Sequence, residues 1–250
     1  MKTRVRIADT NIIINTLYAD CHKMFEGYII SDDQSFQADI IIDISVNDLK
    51  RENEEYQSQE CKESKGLYLY NSPEFLEPIA VHRKVSEVLP NYDVFLMHGA
   101  VVEYEGKGYM FVAPSGVGKS TRVKLWTEVF PKTIVVNGDK PFVRIKGDDV
   151  YAYGSPWCGK ENWNTNIGVP LYAIFLLQRA DKQEKTEVSE LYFPNVYSDI
   201  LKQVYIPEDS CAALCTLRLV KKLVERVRIF RFRSEPTHEA VKLAWEAANE

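Results

Sequence analysis

The sequence predicts an α/β protein: a core domain over residues 91–250 built on a mixed α+β sheet, preceded by a smaller α+β segment over residues 1–90. Three observations point there. β-Branched runs of strand length alternate with stretches of helical periodicity along the chain. The run Leu171–Leu177 is apolar throughout, as in a strand buried on both faces and central to a sheet. Finally, Pro90-Asn91-Tyr92-Asp93 breaks the chain where the pattern changes.

In the first segment, Asn11–Ile14 and Ala38–Ile44 are β-branched runs of strand length. The polar stretch Asn47–Lys65 reads as an exposed helix or a loop, partly ordered. Gly66–Tyr70 is a further short strand. Ser72-Pro73-Glu74 starts a helix with proline at its first position, and the helix runs to about Leu89. In the core domain, the apolar runs Val94–Tyr104 and Gly108–Val112, joined by Glu105-Gly106-Lys107, make a hairpin. A loop over Ala113–Thr121 leads into a helix over Arg122–Phe130. Thr133–Val136 is a strand ending in Asn137-Gly138-Asp139-Lys140-Pro141. Phe142–Ile145 and Val150–Tyr153 form a second hairpin. Phe193–Tyr205 and Asp209–Val227 are helical by periodicity, Arg228–Arg233 is a strand, and Pro236–Asn249 is a closing helix.

Composition narrows the function classes. Hydrophobic residues make up 45% of the 250 and charged residues 27%, with 12 Gly and 11 Pro, which excludes a wholly disordered or collagen-like chain. The 31 basic and 36 acidic residues leave a formal charge of −5. That balance lacks the basic footprint of a nucleic-acid binder, so no nucleic-acid partner is expected. Five scattered cysteines suit free thiols in a reducing cytosol. Charge interrupts the N-terminal residues, so no signal peptide is expected, and no run approaches the roughly 18 apolar residues of a membrane span. The expectation is a cytoplasmic protein without a membrane partner; assembly as a homo-oligomer is left open.

The strongest chemical signal is Ala113-x-x-x-x-Gly118-Lys119-Ser120, a phosphate-loop pattern with Ala113 where the strict form has glycine. Gly116 and Gly118 let successive backbone amides converge on anionic oxygens. The helix that follows presents its positive N-terminus to the same oxygens. Ser115, Gly116, Val117, Gly118, Lys119, Ser120 and Thr121 are therefore the candidate nucleotide-binding residues. Lys119 supplies a cation for the β/γ oxygens, and the Ser120 hydroxyl is a Mg²⁺ ligand. The strand before the loop is the second arm of a hairpin, which departs from motor and switch NTPases. Guanine-recognition and transporter signatures are missing as well.

Asp139, at the end of an apolar strand about twenty residues beyond the loop, is the candidate Mg²⁺ ligand or general base; a turn aspartate is the plainer reading. His98, just before Gly99, is a candidate catalytic or phosphate-facing group. Lys140, Arg144 and Lys160 are weaker candidates for contacting the transferred phosphate or an acidic substrate. His22, His82 and His238 read as structural or exposed. The basic group Arg218, Lys221, Lys222, Arg226, Arg228, Arg231 and Arg233 is either a solvated face or a dock for an acidic peptide.

Taken together, Met97-His98-Gly99-Ala100, the hairpin, Ala113–Thr121, Val136-Asn137-Gly138-Asp139 and Tyr153-Gly154-Ser155-Pro156-Trp157 resemble the HPr serine kinase/phosphorylase family, and more distantly the ATP-dependent phosphoenolpyruvate carboxykinase fold. The resemblance covers about residues 94–235. It implies a nucleotide-binding core that uses ATP and Mg²⁺ to phosphorylate a serine hydroxyl on a protein or peptide. Lys119 and the loop amides would hold the triphosphate, Ser120 and Asp139 the metal, and Asp139 or His98 would take the hydroxyl proton. The family pattern has two adjacent aspartates where this chain has Gly138-Asp139. Two alternatives stay open: a degenerate module that binds nucleotide and a partner peptide, or a kinase of a small molecule such as free serine or a sugar.

Overall fold

The computed structural model describes residues 1–31, 35–63, 71–180 and 185–250, with residues 59–63 described by their backbone alone. The strand expected at Gly66–Tyr70 lies outside the described residues. The chain forms two compact units, Met1–Val88 and Leu89–Glu250.

The first unit holds a three-stranded sheet in the order β1 (Lys2–Ile7), β2 (Thr10–Asn15), β3 (Ile40–Asp43), with β1 antiparallel and β3 parallel to β2. β1 escapes the sequence reading because Lys2, Arg4 and Arg6 alternate with its inward residues Thr3, Val5 and Ile7. The β1–β2 turn puts both Ala8 and Asp9 at positive φ, the backbone twist that suits a two-residue hairpin. Ile12, Ile14, Ile40 and Ile42 pack inward with Val5 and Ile7. Two helices follow, α1 (Val46–Glu63) and α2 (Pro73–Val88), so the polar stretch from Asn47 is helical. Glu77 of α2 is fully buried, its carboxylate accepting the backbone amides of Leu17 and Tyr18. Between the helices, Arg83 pairs with Glu52 and Asp48, and Lys84 pairs with Asp48.

The second unit is a mixed α/β fold around a nine-stranded sheet. It runs β4 (Val94–Leu96), β8 (Phe142–Lys146), β9 (Asp149–Tyr153), β10 (Gly168–Arg179), β6 (Lys107–Val112), β5 (Ala100–Tyr104), β7 (Ile134–Asn137). Off that path, β12 (Arg228–Ser234) lies parallel to β10, and β11 (Glu187–Leu191) is antiparallel to β12. β10 is central, flanked by the parallel strands β6 and β12. Neighbouring residues of the inner strands point to opposite faces. Met110, Val112 and Ile174 join Leu219, Val220 and Leu223 of α5 (Ser210–Arg226) on one side. Phe111 and Phe175 join Val123 and Trp126 of α3 (Lys119–Val129) and Ala240 and Val241 of α6 (His238–Asn249) on the other. A sheet covered on both faces accounts for the unbroken apolar run in β10.

Two expectations change. Val94–Tyr104 is two strands, broken at Met97-His98-Gly99, because the amides of these residues bond away to Pro141, Gln203 and Asp139 respectively. Phe193–Tyr205 is helical only over α4 (Tyr197–Leu201). Pro194 opens a turn ahead of it, and beyond it Gln203 and Tyr205 bond to His98 and Leu96, so their backbone groups serve the sheet edge instead of a helix. Among the described residues no helix is long and apolar enough to cross a membrane.

Candidate functional site

The phosphate-loop segment leaves β6 and enters α3. Gly116 and Gly118 sit at φ of 79° and 115°, where a Cβ would be strained. Gly118 is the N-cap of α3 and brings no capping side chain, so the first-turn amides of the helix remain available to an anion. The loop lies where β6 runs parallel to β10 and antiparallel to β5, the hairpin context read from the sequence.

A cleft of about 530 Å³ opens over this turn. The loop contributes Ser115, Gly116, Gly118, Lys119, Ser120 and Thr121 to its lining, and His98, Gly138, Asp139, Gly159, Lys160 and Glu161 complete it. Val117 lines the neighbouring cavities and not this one. The cleft thus brings together most of the residues singled out in the sequence. Lys140 and Arg144 do not line it: Lys140 follows Asp139 in the turn, and Arg144 lies on β8 opposite Val94 of β4. Within the basic group on α5 and β12, Lys221 pairs with Glu225, Arg226 with Asp148, Arg228 with Glu190 and Arg233 with Glu187.

His98 Nε2 lies 3.3 Å from Asp139 Oδ1. The pairing depends on the break between β4 and β5, since the Gly99 amide donates to the Asp139 carbonyl at 2.9 Å and fixes the two segments side by side. Burial alone would raise the Asp139 carboxyl. The His98 hydrogen bond and the charges of His98, Lys140 and Lys119 outweigh it and hold the carboxyl below its ordinary value. Lys119 is 8% exposed, and its ammonium donates to the Ala113 carbonyl at 2.9 Å. Burial pushes its pKa down, with the Asp139 charge opposing. The site therefore holds an ionised carboxylate and a partly desolvated ammonium on one cleft.

Sequence reasoning missed the residue that orients Asp139. Asn137 is fully buried, and its Oδ1 accepts the amides of Asp139 at 2.9 Å and Lys140 at 2.7 Å. Its Nδ2 donates to the Ser155 carbonyl at 3.0 Å and hydroxyl at 3.1 Å, while that hydroxyl donates to the Lys140 carbonyl at 2.6 Å. An asparagine ending an apolar strand beside glycine was the available signal, a turn whose side chain bonds the backbone two and three residues on.

Gly138 has no room for a side chain. A Cβ there would come within 2.9 Å of the Cys158 carbonyl oxygen, and the Gly138 amide is already committed to Trp163. The 157–161 segment also crosses close to Asp139, since a Cβ on Gly159 would meet the Asp139 Cβ at 3.0 Å.

The cleft fits a polyphosphate with a hard divalent cation. Two glycines at positive φ leave the backbone bare for anionic oxygens, and Ser120 and Asp139 are oxygen donors on the same cleft, of the type Mg²⁺ takes.

No family model matches this chain, and no curated protein does. Among solved structures, the HPr(Ser) kinase/phosphatase from Coxiella burnetii is similar at 8% sequence identity with a TM-score of 0.34, over 62% of this chain and 91% of that one. A likeness that faint carries no argument, and the α/β class rests on the strand order and the helix layers themselves.

Proposed function

We propose that the Leu89–Glu250 unit is an ATP-dependent phosphotransferase that moves the terminal phosphoryl group of the nucleotide to a serine hydroxyl of a protein or peptide. One observation carries this reading: Asp139, held 3.3 Å from His98, opens on the same cleft as Lys119 and Ser120 of the Gly-Lys-Ser turn.

The backbone amides around Gly118 and the Lys119 ammonium bind and orient the triphosphate. On binding, Lys119 exchanges the Ala113 carbonyl for a phosphate oxygen, a stronger charge-assisted contact. The Ser120 hydroxyl and the Asp139 carboxylate would hold Mg²⁺, which when bound supplies charge neutralisation on the phosphates. Asp139, ionised because its neighbours depress its pKa, accepts the proton of the attacking hydroxyl, and His98 beside Oδ1 orients that carboxylate. The new bond joins the acceptor oxygen to the terminal phosphorus. The bond from that phosphorus to its bridging oxygen breaks, and the nucleoside diphosphate leaves. Positioning and charge neutralisation dominate such a transfer, so one carboxylate suffices.

A second reading has its own observation. The Cys158 carbonyl fills the space of a Gly138 side chain, so the turn offers a single acid, as in a module that holds nucleotide without transferring phosphate. Calorimetry with MgATP, followed by intact-mass analysis of serine-containing peptides incubated with protein and MgATP, separates the two. Phosphorylation adds one phosphate to a peptide and is lost in Lys119→Ala and Asp139→Asn. Binding without mass gain favours the module, and no heat of binding removes both readings.

A further inference from the structure

Two lysines line the cleft, and the phosphoryl transfer proposed above uses one of them. Lys119 is 8% exposed, and its ammonium is tied to the Ala113 carbonyl at 2.9 Å. Lys160 is exposed, and among the described residues its side chain makes no hydrogen bond or ion pair. Lys140, whose charge acts on Asp139, does not line the cleft.

We propose that the Lys160 ammonium contacts the terminal phosphoryl group of the donor, as a second cation beside Asp139. The inference rests on the reading of the cleft as a phosphoryl-transfer site, and adds a group that lies outside the phosphate-loop pattern. An ionised carboxylate next to a phosphoryl group is a meeting of like charges, unfavourable until a cation offsets it. Lys119 comes from the loop, whereas Lys160 comes from the segment that packs on the acid itself. In that segment the Cys158 carbonyl takes the space of a Gly138 side chain, and Lys160 follows two residues later. The stretch that excludes a second carboxylate thereby brings in a positive charge. Lysine suits the task, because its ammonium is a compact charge on a flexible stem and can follow the phosphoryl oxygens as the phosphorus passes to the acceptor. No bond is made or broken at Lys160, and no proton leaves it.

The placement of Lys160 is built into the fold. The Asn162 amide donates to the Gly159 carbonyl at 3.3 Å, closing a four-residue turn with Lys160 and Glu161 at its middle positions. A Cβ on Gly159 would lie 3.8 Å from Asp139 Oδ2, so the residue before Lys160 runs against the carboxylate. Consecutive Cα atoms are about 3.8 Å apart, and the lysine stem therefore starts beside Asp139. Beyond the turn, the Gly138 amide donates to the Trp163 carbonyl at 2.8 Å and the Thr165 amide to the Val136 carbonyl at 3.0 Å. Ahead of it, Cys158 Sγ accepts from Asn164 Nδ2 at 3.1 Å. The turn is thus fastened on both sides to the strand end that carries the acid.

The test is calorimetry on the full chain with MgATP and MgADP, which differ by the terminal phosphoryl group, using the wild type, Lys160→Met and Lys160→Gln. Both variants remove the charge from an exposed side chain, and an unchanged thermal midpoint checks that the fold is kept. The expected result is that the wild type binds MgATP at least about tenfold more tightly than MgADP. In each variant the MgATP affinity should fall at least about fivefold while the MgADP affinity stays within about twofold. Undiminished MgATP binding in either variant overturns the proposal. Parallel loss of both nucleotides overturns it too, since Lys160 would then act on a part of the donor that they share. Equal wild-type affinities overturn it while leaving nucleotide binding in place. If the wild type binds neither nucleotide, the reading of the cleft itself fails and the role of Lys160 with it.

Discussion

The imidazole of His98 faces the carboxylate of Asp139, Nε2 to Oδ1 at 3.3 Å, and the pair lines one cleft together with Lys119. His98 is among the causes that hold the Asp139 carboxyl below its ordinary value against the opposing pull of burial. Removing it in His98→Gln takes away a lowering influence, so the Asp139 pKa rises. A group with a depressed pKa stays ionised until the pH falls through that low value. The variant should therefore lose Mg²⁺-dependent nucleotide binding at a higher pH than the wild type. Calorimetric titrations from well below the ordinary carboxylate value near 4 up to neutral pH check this; coincident acid limbs would detach His98 from Asp139.

Asn137→Ala should cost about 1–3 kcal/mol, because it leaves buried amides and the Ser155 pair without their partner. Chemical denaturation reads the stability loss. Phosphoryl transfer should fall further than MgATP affinity, since the residue orients Asp139 and does not line the cleft. Equal loss of both would give Asn137 a structural role alone.

Gly138→Asp does not add a working second acid. The new Cβ meets the Cys158 carbonyl at 2.9 Å, and displacing that backbone costs about 1–3 kcal/mol. The thermal midpoint should drop by several degrees, at about 2–4 °C per kcal/mol for a chain of this size, with no gain in transfer. An unchanged midpoint with raised activity would contradict the packing.

Arg122→Met removes donors from the Ser234 carbonyl and hydroxyl and the Glu235 carbonyl. Each orphaned buried acceptor costs on the order of 1–3 kcal/mol, so the variant should be among the least stable single substitutions in this unit. Urea unfolding followed by tryptophan fluorescence measures it, with Trp126 buried on the same helix.

In the first unit, burial would raise the Asp48 carboxyl, but hydrogen bonds from Lys84 and Ser45 and the Lys84 charge hold it at about 2. Its folded value lies below the ordinary carboxylate value near 4, so its contribution to stability is complete above that ordinary value and vanishes as the pH falls toward about 2. Lys84→Met should raise the Asp48 pKa and flatten the acid dependence of stability in that window, as carboxyl-resolved NMR titration would record.

Several features could be read ahead of the fold because their causes are local. The loop from β6 into α3 is written in Gly116, Gly118 and the residues after them, and the apolar run of β10 declares a strand covered on both faces. Where the reading failed, a distant partner had taken over. The cationic alternation of β1 conceals a strand until β2 pairs with it, and the apolar spacing of Phe193–Tyr205 looks helical until Gln203 and Tyr205 are claimed by His98 and Leu96.

By itself the sequence determined where an anion-binding turn would form, because glycines at positive φ and a helix start are short-range properties of the backbone. Only the tertiary structure decided that His98 meets Asp139, that Asn137 and Ser155 lock the acid in place, that Cys158 closes the space at Gly138, and that Arg122 fastens β12 to α3. Asn137 reaches the Asp139 amide within its own turn, but the His98–Asp139, Asn137–Ser155, Cys158–Gly138 and Arg122–Ser234 contacts join segments separated in the chain. They exist because the whole sheet settles into one register, which no stretch of residues specifies alone.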